Sequence, residues 1–423
     1  MPATFRAFSS PAFGMWIGSL FISALVMWMQ MTAQDWLVLT VLTDHNALAL
    51  GVVVTAQFLP QFFVSPLAGS IVDRMDRRKI LIIVQAMQAA IATTLAILTL
   101  TGLIEYWMIL VTALLLGSIA GIEGTARQAF VVDLVDKDLM TNAVSLNAAA
   151  FNSARLVGPA VAGLLVAWVG SGWVFAVGAI GAIAAILLMI RTRALRRPAA
   201  DRHADDRGGV WSAVRYVAGR PDILMLLVGV FLFNCFGLNT PVFLATAATT
   251  TYGVDADGFG LLTACIGLGA LVGSLITASF KRSSYAIVIA GSAGTAAIAG
   301  VAAIAPTFGL FAALMVPLGL GFMLVVTSIN ARVQMSVADS IRGRVMGIYL
   351  AVFMLGGPAG ALILGAVADG FGARSAMVFG ACAAALAGIV VTGLALVSSR
   401  LQRRSVSPRW AHEPGSLATS AGP

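Results

Sequence analysis

Arg155 stands about eleven residues into an apolar run at 144–169, a depth near the middle of a bilayer. A guanidinium there is costly and persists only beside water, a ligand or a compensating acid. It can contact an anionic substrate, serve as counter-charge to a titrating acid, or hold helices together in a static ion pair. The acid that lies well within a run is Asp35, in the outer half of the first one. A carboxylate at that depth can carry a proton through a transport cycle; at the outer water interface it would have no such part. Gln30 and Gln34 are one helical turn apart, as are Gln57 and Gln61, so each pair shares a face. Such pairs line a polar cavity or hydrogen-bond between helices. Asn152, Asn234 and Asn239, with Asn147, Thr327 and Asn330, are weaker candidates for the same cavity. Phe58, Phe62, Phe63, Phe231, Phe233 and Phe236 either form an apolar binding wall or pack among the helices.

A second group of charges lies at the ends of runs. Residues 69–79 read Gly-Ser-Ile-Val-Asp-Arg-Met-Asp-Arg-Arg-Lys, a short charged loop between two apolar segments. Basic residues stay on the cytoplasmic side, so Arg74, Arg77 and Arg78 orient the flanking helices. Gly69 allows a neighbouring helix to approach closely. Glu123 and Arg127, four apart at the end of the fourth run, can pair with each other.

These residues require a membrane scaffold. Apolar residues make up 59% of the 423 and charged residues 10%, against about 25% charged in a soluble domain. Apolar runs lie at 13–41, 48–72, 80–102, 106–124, 144–169 and 173–190, and again at 223–246, 259–280, 285–305, 308–329, 345–367 and 375–397. The expectation is an all-α integral membrane protein of twelve transmembrane helices. Its parts are a six-helix bundle at 1–190, a cytoplasmic linker at 191–222, a second bundle at 223–397, and a tail at 398–423 expected to lack structure. Val210 to Ala218 can form a short surface helix or remain a tether. The first run is too long for a signal peptide and reads as a retained helix.

Charge supports this division. With both termini in the cytoplasm, 24 of the 26 basic residues fall on the cytoplasmic side; the others are Arg155 and Arg374. The net charge of +8 therefore belongs to topology rather than to nucleic-acid binding. Landmarks recur between the halves. Gly69-Ser70 matches Gly273-Ser274, Ala126-Arg127 matches Ala331-Arg332, and Gly158-Pro159 matches Gly357-Pro358, at offsets of 204, 205 and 199. Two homologous six-helix halves follow.

Several function classes are excluded or disfavoured. The chain has no Gly-x-x-x-x-Gly-Lys phosphate loop for an ATP-driven pump, and no His-Glu-x-x-His zinc motif. Cys235, Cys265 and Cys382 have no metal-ligand spacing, so no cofactor or metal is implied. A membrane enzyme would need acids or histidines clustered at one face, and a sensor would need an appended soluble domain. Neither pattern is present.

The loop at Gly69, Asp73, Arg74, Arg77 and Arg78 resembles the Gly-x-x-x-Asp-Arg-x-x-Arg-Arg loop of the major facilitator superfamily. Trp28-Met29-Gln30, Ala33 to Leu39, Ala126 to Ala129 and Ala154 to Pro159 are similar to the branch containing the enterobactin exporter and the transmembrane secretion effectors. Gly158, Pro159 and Gly163 resemble the helix-packing antiporter motif of drug exporters, with Asn152 and Ser153 standing where that motif has further glycines. The resemblance implies two pseudo-symmetric bundles and secondary transport by alternating access. It implies export of small amphipathic molecules, drugs or siderophore-like metabolites, in exchange for protons; proton-coupled uptake is the alternative. It also implies a latch in which Arg127 meets the acid of the charged loop, Asp73. Expected partners are membrane lipid, a small-molecule substrate and protons, in a monomer of the plasma (inner) membrane that binds no nucleic acid.

Overall fold

The computed structural model describes residues 3–192, 210–237, 239–279, 284–337 and 339–405. The first half contains α1 (Pro11–Leu37), α2 (Ala47–Arg74), α3 (Arg77–Leu100), α4 (Tyr106–Val132), α5 (Met140–Val169) and α6 (Ser171–Arg191). A short helix, α7 (Val210–Ala218), precedes the second half. There follow α8 (Pro221–Gly237), α9 (Thr240–Thr246), α10 (Ala256–Ser279), α11 (Tyr285–Ala303), α12 (Phe308–Ser336), α13 (Asp339–Phe371) and α14 (Ala373–Ser405). Among the described residues, eleven helices are long and apolar enough to cross a membrane.

The twelfth span is not one helix. The run expected at 223–246 divides into α8 and α9, followed by a π-helical segment, Ala247–Thr251. Pro241 lies in the first turn of α9, where its missing N–H leaves no bond unmade. The first half ends its opening helix similarly, since α1 runs into the π-helical segment Val38–Leu42. At the other end of the chain, α14 continues to Ser405, past the expected end of the last span at 397. Most of the linker and the tail beyond 405 lie outside the described residues.

Packing repeats between the halves. α1 packs on α5 and α6 as α8 packs on α13 and α14. α2 packs on α4 as α10 does on α12, and α3 packs on α6 as α11 does on α14. The halves meet through the reciprocal pairs α2–α13 and α5–α10. This is the expected pair of pseudo-symmetric six-helix bundles.

The cores show where the halves are joined. At the end remote from the termini, Leu37, Leu50 and Phe175 of the first half share one core with Phe243, Phe259, Met315 and Ala361 of the second. At the end bearing the termini, each half has its own core: Phe13, Trp16 and Phe130 in the first, Phe233, Phe322 and Tyr349 in the second. We call these the closed end and the terminal end.

Glycines set the close approaches at the closed end. A Cβ on Gly163 of α5 would lie 2.6 Å from Gly260 Cα and 2.8 Å from Ala256 O, both at the start of α10. A Cβ on Gly365 of α13 would lie 2.7 Å from Ala47 O of α2. Asp369 adds polar contacts at the same place. Its Oδ1 accepts from Ala47 N and its Oδ2 from Leu48 N, each at 2.7 Å. The first N–H groups of a helix have no intrahelical acceptor, and a carboxylate suits them electrostatically.

The basic loop acts within the first half. Asp76 caps α3, accepting from Arg78 N at 2.9 Å and Lys79 N at 3.3 Å. Arg77 forms an ion pair with Asp133, just past α4, at 2.7 Å. Arg78 donates to the carbonyls of Met189, at 3.2 Å, and Ile190 at the end of α6. Cations at helix C-termini answer the unpaired carbonyls there. Arg77 and Arg78 thus tie α3 to α4 and α6, whereas Arg74 is exposed.

Candidate functional site

A cavity of about 350 Å³ lies inside the first half, walled on one side by Phe353 and Met354 of α13. This is within the usual range for small-molecule pockets, about 300–1,000 Å³. α1 contributes Trp28, Gln30 and Gln34, and α2 contributes Gln57, Phe58 and Gln61. α3 adds Gln88, α4 adds Glu123 and Arg127, and α5 adds Phe151 and Arg155. Four of the five glutamines come from the two i, i+4 pairs, which the helical repeat places on one face.

Glycines permit this convergence. A Cβ on Gly158 would lie 2.7 Å from Trp28 Cβ and 3.2 Å from Leu25 O, so this residue lets α1 lie against α5 and sets Trp28 beside Arg155. Gly117 allows the Gln57 carbonyl to approach α4 in the same way. The packing motif is therefore divided. Gly158 positions the cavity wall, Gly163 joins the halves, and Pro159, buried within α5, lies between them.

Arg155 is midway along α5, with its guanidinium over the Trp28 ring, 5.2 Å from the centroid. A cation over an indole face gains from the ring quadrupole, more so when water is excluded. Asp35 does not meet it. Asp35 is 3% exposed, lies outside the cavity lining, and has no ion pair among the described residues. The possible Arg155–Asp35 pair is not formed. Asp35 lies nearer the closed end than Trp28, and the helical repeat turns it about 100° around α1 from Gln34.

Glu123 and Arg127 pair with each other within α4. Gln88 Nε2 donates to the other Glu123 oxygen at 2.7 Å, and Arg127 lies over the Phe151 ring at 5.4 Å. Both residues line the cavity as well as lying in the second half of α4. The side chain of Asp73, the acid of the expected latch, lies outside the described residues.

The asparagines do other work. Asn234 Nδ2 donates to Phe353 O at 2.6 Å, and Asn239 Nδ2 to Gly357 O at 2.9 Å. Both are fully buried; Asn234 binds α8, and Asn239 the start of α9, to α13 next to Pro358 rather than facing the cavity. Buried amides on neighbouring membrane helices commonly make such interhelical bonds. Asn152 turns back to Ala148 O on its own helix at 2.9 Å and is not part of the lining. Asn147 accepts from Trp16 Nε1 at 3.0 Å. Of the phenylalanines singled out, Phe58 lines the cavity, Phe233 stacks on Phe322, and Phe236 stacks on Phe243.

Sequence reasoning missed Gln88, Phe151 and the α13 pair. Gln88 was findable as a polar residue in the middle of the third run. Phe151 carried no signal, because phenylalanine in a span faces lipid, core or cavity without distinction.

Comparison with known proteins gives this geometry a context. Residues 3–423 match the model of a family described as transmembrane secretion effector. The staphyloferrin A transporter of Staphylococcus aureus is 32% identical over 41% of this chain and 43% of its own length. The enterobactin exporter EntS of Citrobacter koseri is 24% identical over 84% of this chain and 83% of its own. Among solved structures, the D-xylose-proton symporter superposes with a TM-score of 0.72 at 16% identity, covering 91% of this chain and 97% of that one. The nucleoside transporter NupG gives 0.71 at 14% identity, covering 90% and 98%.

Proposed function

The chain belongs to the transmembrane secretion effector family, within the major facilitator fold, and from that premise we propose that it exports siderophore-like amphipathic molecules by alternating access. The observation that carries the reading is the cavity itself. It is bounded by both halves, has an aromatic wall, and holds Arg155 at mid-helix depth, with Arg127 nearer the end of α4. Charges at that depth on a multi-pass chain face a transport pathway. The enterobactin exporters among the relatives favour export over uptake.

The orientation in this reading follows from charge. With 24 of 26 basic residues on the terminal side, that side is cytoplasmic, and both termini with it. In this reading the halves are joined at the outer end and separate at the inner, so the cavity opens toward the cytoplasm in this state. The bundles at 1–190 and 223–397 rock as units about the α2–α13 and α5–α10 contacts, in a monomer of the inner membrane.

Exchange for protons supplies the driving force in this reading. Asp35 is buried without an ion pair among the described residues, so it changes its charge by taking or losing a proton. In vesicles, the expected result is that Asp35→Asn retains binding but makes transport nearly independent of an imposed proton gradient. Unaltered gradient dependence would assign coupling elsewhere. The export reading is tested in cells stripped of their own exporters. Expression should lower cell-associated catecholate siderophores and raise them in the medium, and a reporter fused after Arg404 should be active in the cytoplasm. A rise in the cell-associated pool would reverse the direction.

A further inference from the structure

Arg127, Phe151, Trp28 and Arg155 follow one another along the cavity wall. Arg127 lies over Phe151 at 5.4 Å, Phe151 meets Trp28 edge to face at 6.3 Å, and Arg155 lies over Trp28 at 5.2 Å. Two cations therefore stand at the ends of a pair of aromatic rings. Their charges are not equivalent. Arg127 is neutralised by Glu123, which Gln88 holds from the other side. Arg155 has no carboxylate partner among the described residues, and Glu123 is the one carboxylate in the lining.

The groups beside Arg155 are also incomplete. Gln34 is fully buried, yet neither its Nε2 nor its Oε1 has a protein partner, and Gln30 Nε2 and Trp28 Nε1 have none. Buried polar atoms are completed by protein, water or ligand. Here the protein leaves three N–H donors and one cation next to an aromatic surface. An anion with a flat ring matches the cation, and its oxygens accept from the N–H donors within reach; Gln34 Oε1, itself an acceptor, needs a donor instead. The anion's oxygens take the guanidinium in a charge-assisted, forked contact, and its ring lies along Trp28 and Phe151.

We propose that the cavity is a charge-selective site for aromatic monoanions, seated on Arg155, and that Glu123 sets the selected charge by cancelling Arg127. This rests on the cavity being the substrate site. It adds the substrate's charge class and a specificity-determining residue. Neutral amphipathic rings lose the Arg155 contact, and dianions find the second guanidinium already occupied. Removing the Glu123 charge should open the site to dianions, because Arg127 would then be free at the other end of the ring pair.

The test uses the purified full chain in nanodiscs with radiolabelled benzoate, competed by benzamide and by isophthalate (benzene-1,3-dicarboxylate). Benzamide should compete at least about tenfold more weakly than benzoate, and Arg155→Gln should weaken benzoate by a similar factor. Glu123→Gln, nearly isosteric, should improve isophthalate relative to benzoate by about tenfold. Absence of saturable benzoate binding, or equal competition by benzamide, would overturn the anion site. These two measurements need no variant, so a poorly folded Arg155→Gln does not shelter the proposal. An unchanged isophthalate-to-benzoate ratio in Glu123→Gln would overturn the selector role. Export and site can fail separately. Cells that export normally through a protein with no charge preference refute the site, and charge-selective binding without export refutes the direction.

Discussion

Gly163→Leu should nearly abolish transport while leaving the protein folded in the membrane. The Gly163 Cα faces Gly260, and even a Cβ there would press on Gly260 Cα at 2.6 Å and Ala256 O at 2.8 Å. Both are backbone atoms on the opposite half, so relief requires α10 to move away from α5. Overpacking of this kind costs about 1–3 kcal/mol. That cost falls only on the state in which the closed end is closed. About 1.4 kcal/mol is a tenfold change in population, so the equilibrium should leave this state by about that factor or more. The measurement is a distance distribution between spin labels on the α1–α2 and α13–α14 loops, with the three native cysteines replaced. Broadening to longer distances together with lost transport is expected. A wild-type distribution with wild-type transport would show that the α5–α10 contact does not govern closure.

The second large effect belongs to Asp369→Ala, through chemistry rather than shape. Its two oxygens hold the N–H groups of Ala47 and Leu48, joining α13 to the start of α2 across the two halves. Hydrogen bonds to a charged group contribute about 1.5–3 kcal/mol when shielded. Asp369 is exposed, so a total nearer about 1 kcal/mol is expected after solvent competition, roughly a fivefold shift. Ala47 and Leu48 N–H can bond to water once the carboxylate is gone, so insertion and fold should be retained. Asp369→Asn, which keeps one acceptor oxygen, should show roughly half the effect. The same label pair reads the outcome. The two substitutions act through separate contacts, so their shifts should add in the double variant. An Asp369→Ala protein that stays closed would remove the carboxylate from the closing contacts.

Several features of the site are legible in the order of residues alone. The i, i+4 spacing of Gln30 with Gln34 and of Gln57 with Gln61 puts four cavity residues on shared faces. Mid-run placement identifies Arg155 as facing something other than lipid. The pairing of Glu123 with Arg127 follows from four-residue spacing. What fails is partnership across helices. Asp35 is the acid that the sequence places well within a run, but the structure gives Arg155 the face of Trp28. Asn234 and Asn239 share the residue type of cavity amides and instead bind α8 and the start of α9 to α13.

The sequence by itself determined that the chain crosses a membrane many times and that it consists of two related halves. These follow from local quantities: the length of apolar runs and the recurring glycines and prolines. Only the tertiary structure decided which polar side chains meet, where α8 gives way to α9, and which end is closed. The reason is the solvent. In water an apolar stripe marks the buried face of a helix, but lipid is as apolar as a core, so the apolar residues of a span such as α8 lie all round it and do not show an inner face. The azimuth of each helix is then set by contacts with segments distant in sequence. Gly158 against Trp28, Gly163 against Gly260 and Asp369 against the start of α2 are such contacts, and they exist only once the helices are packed.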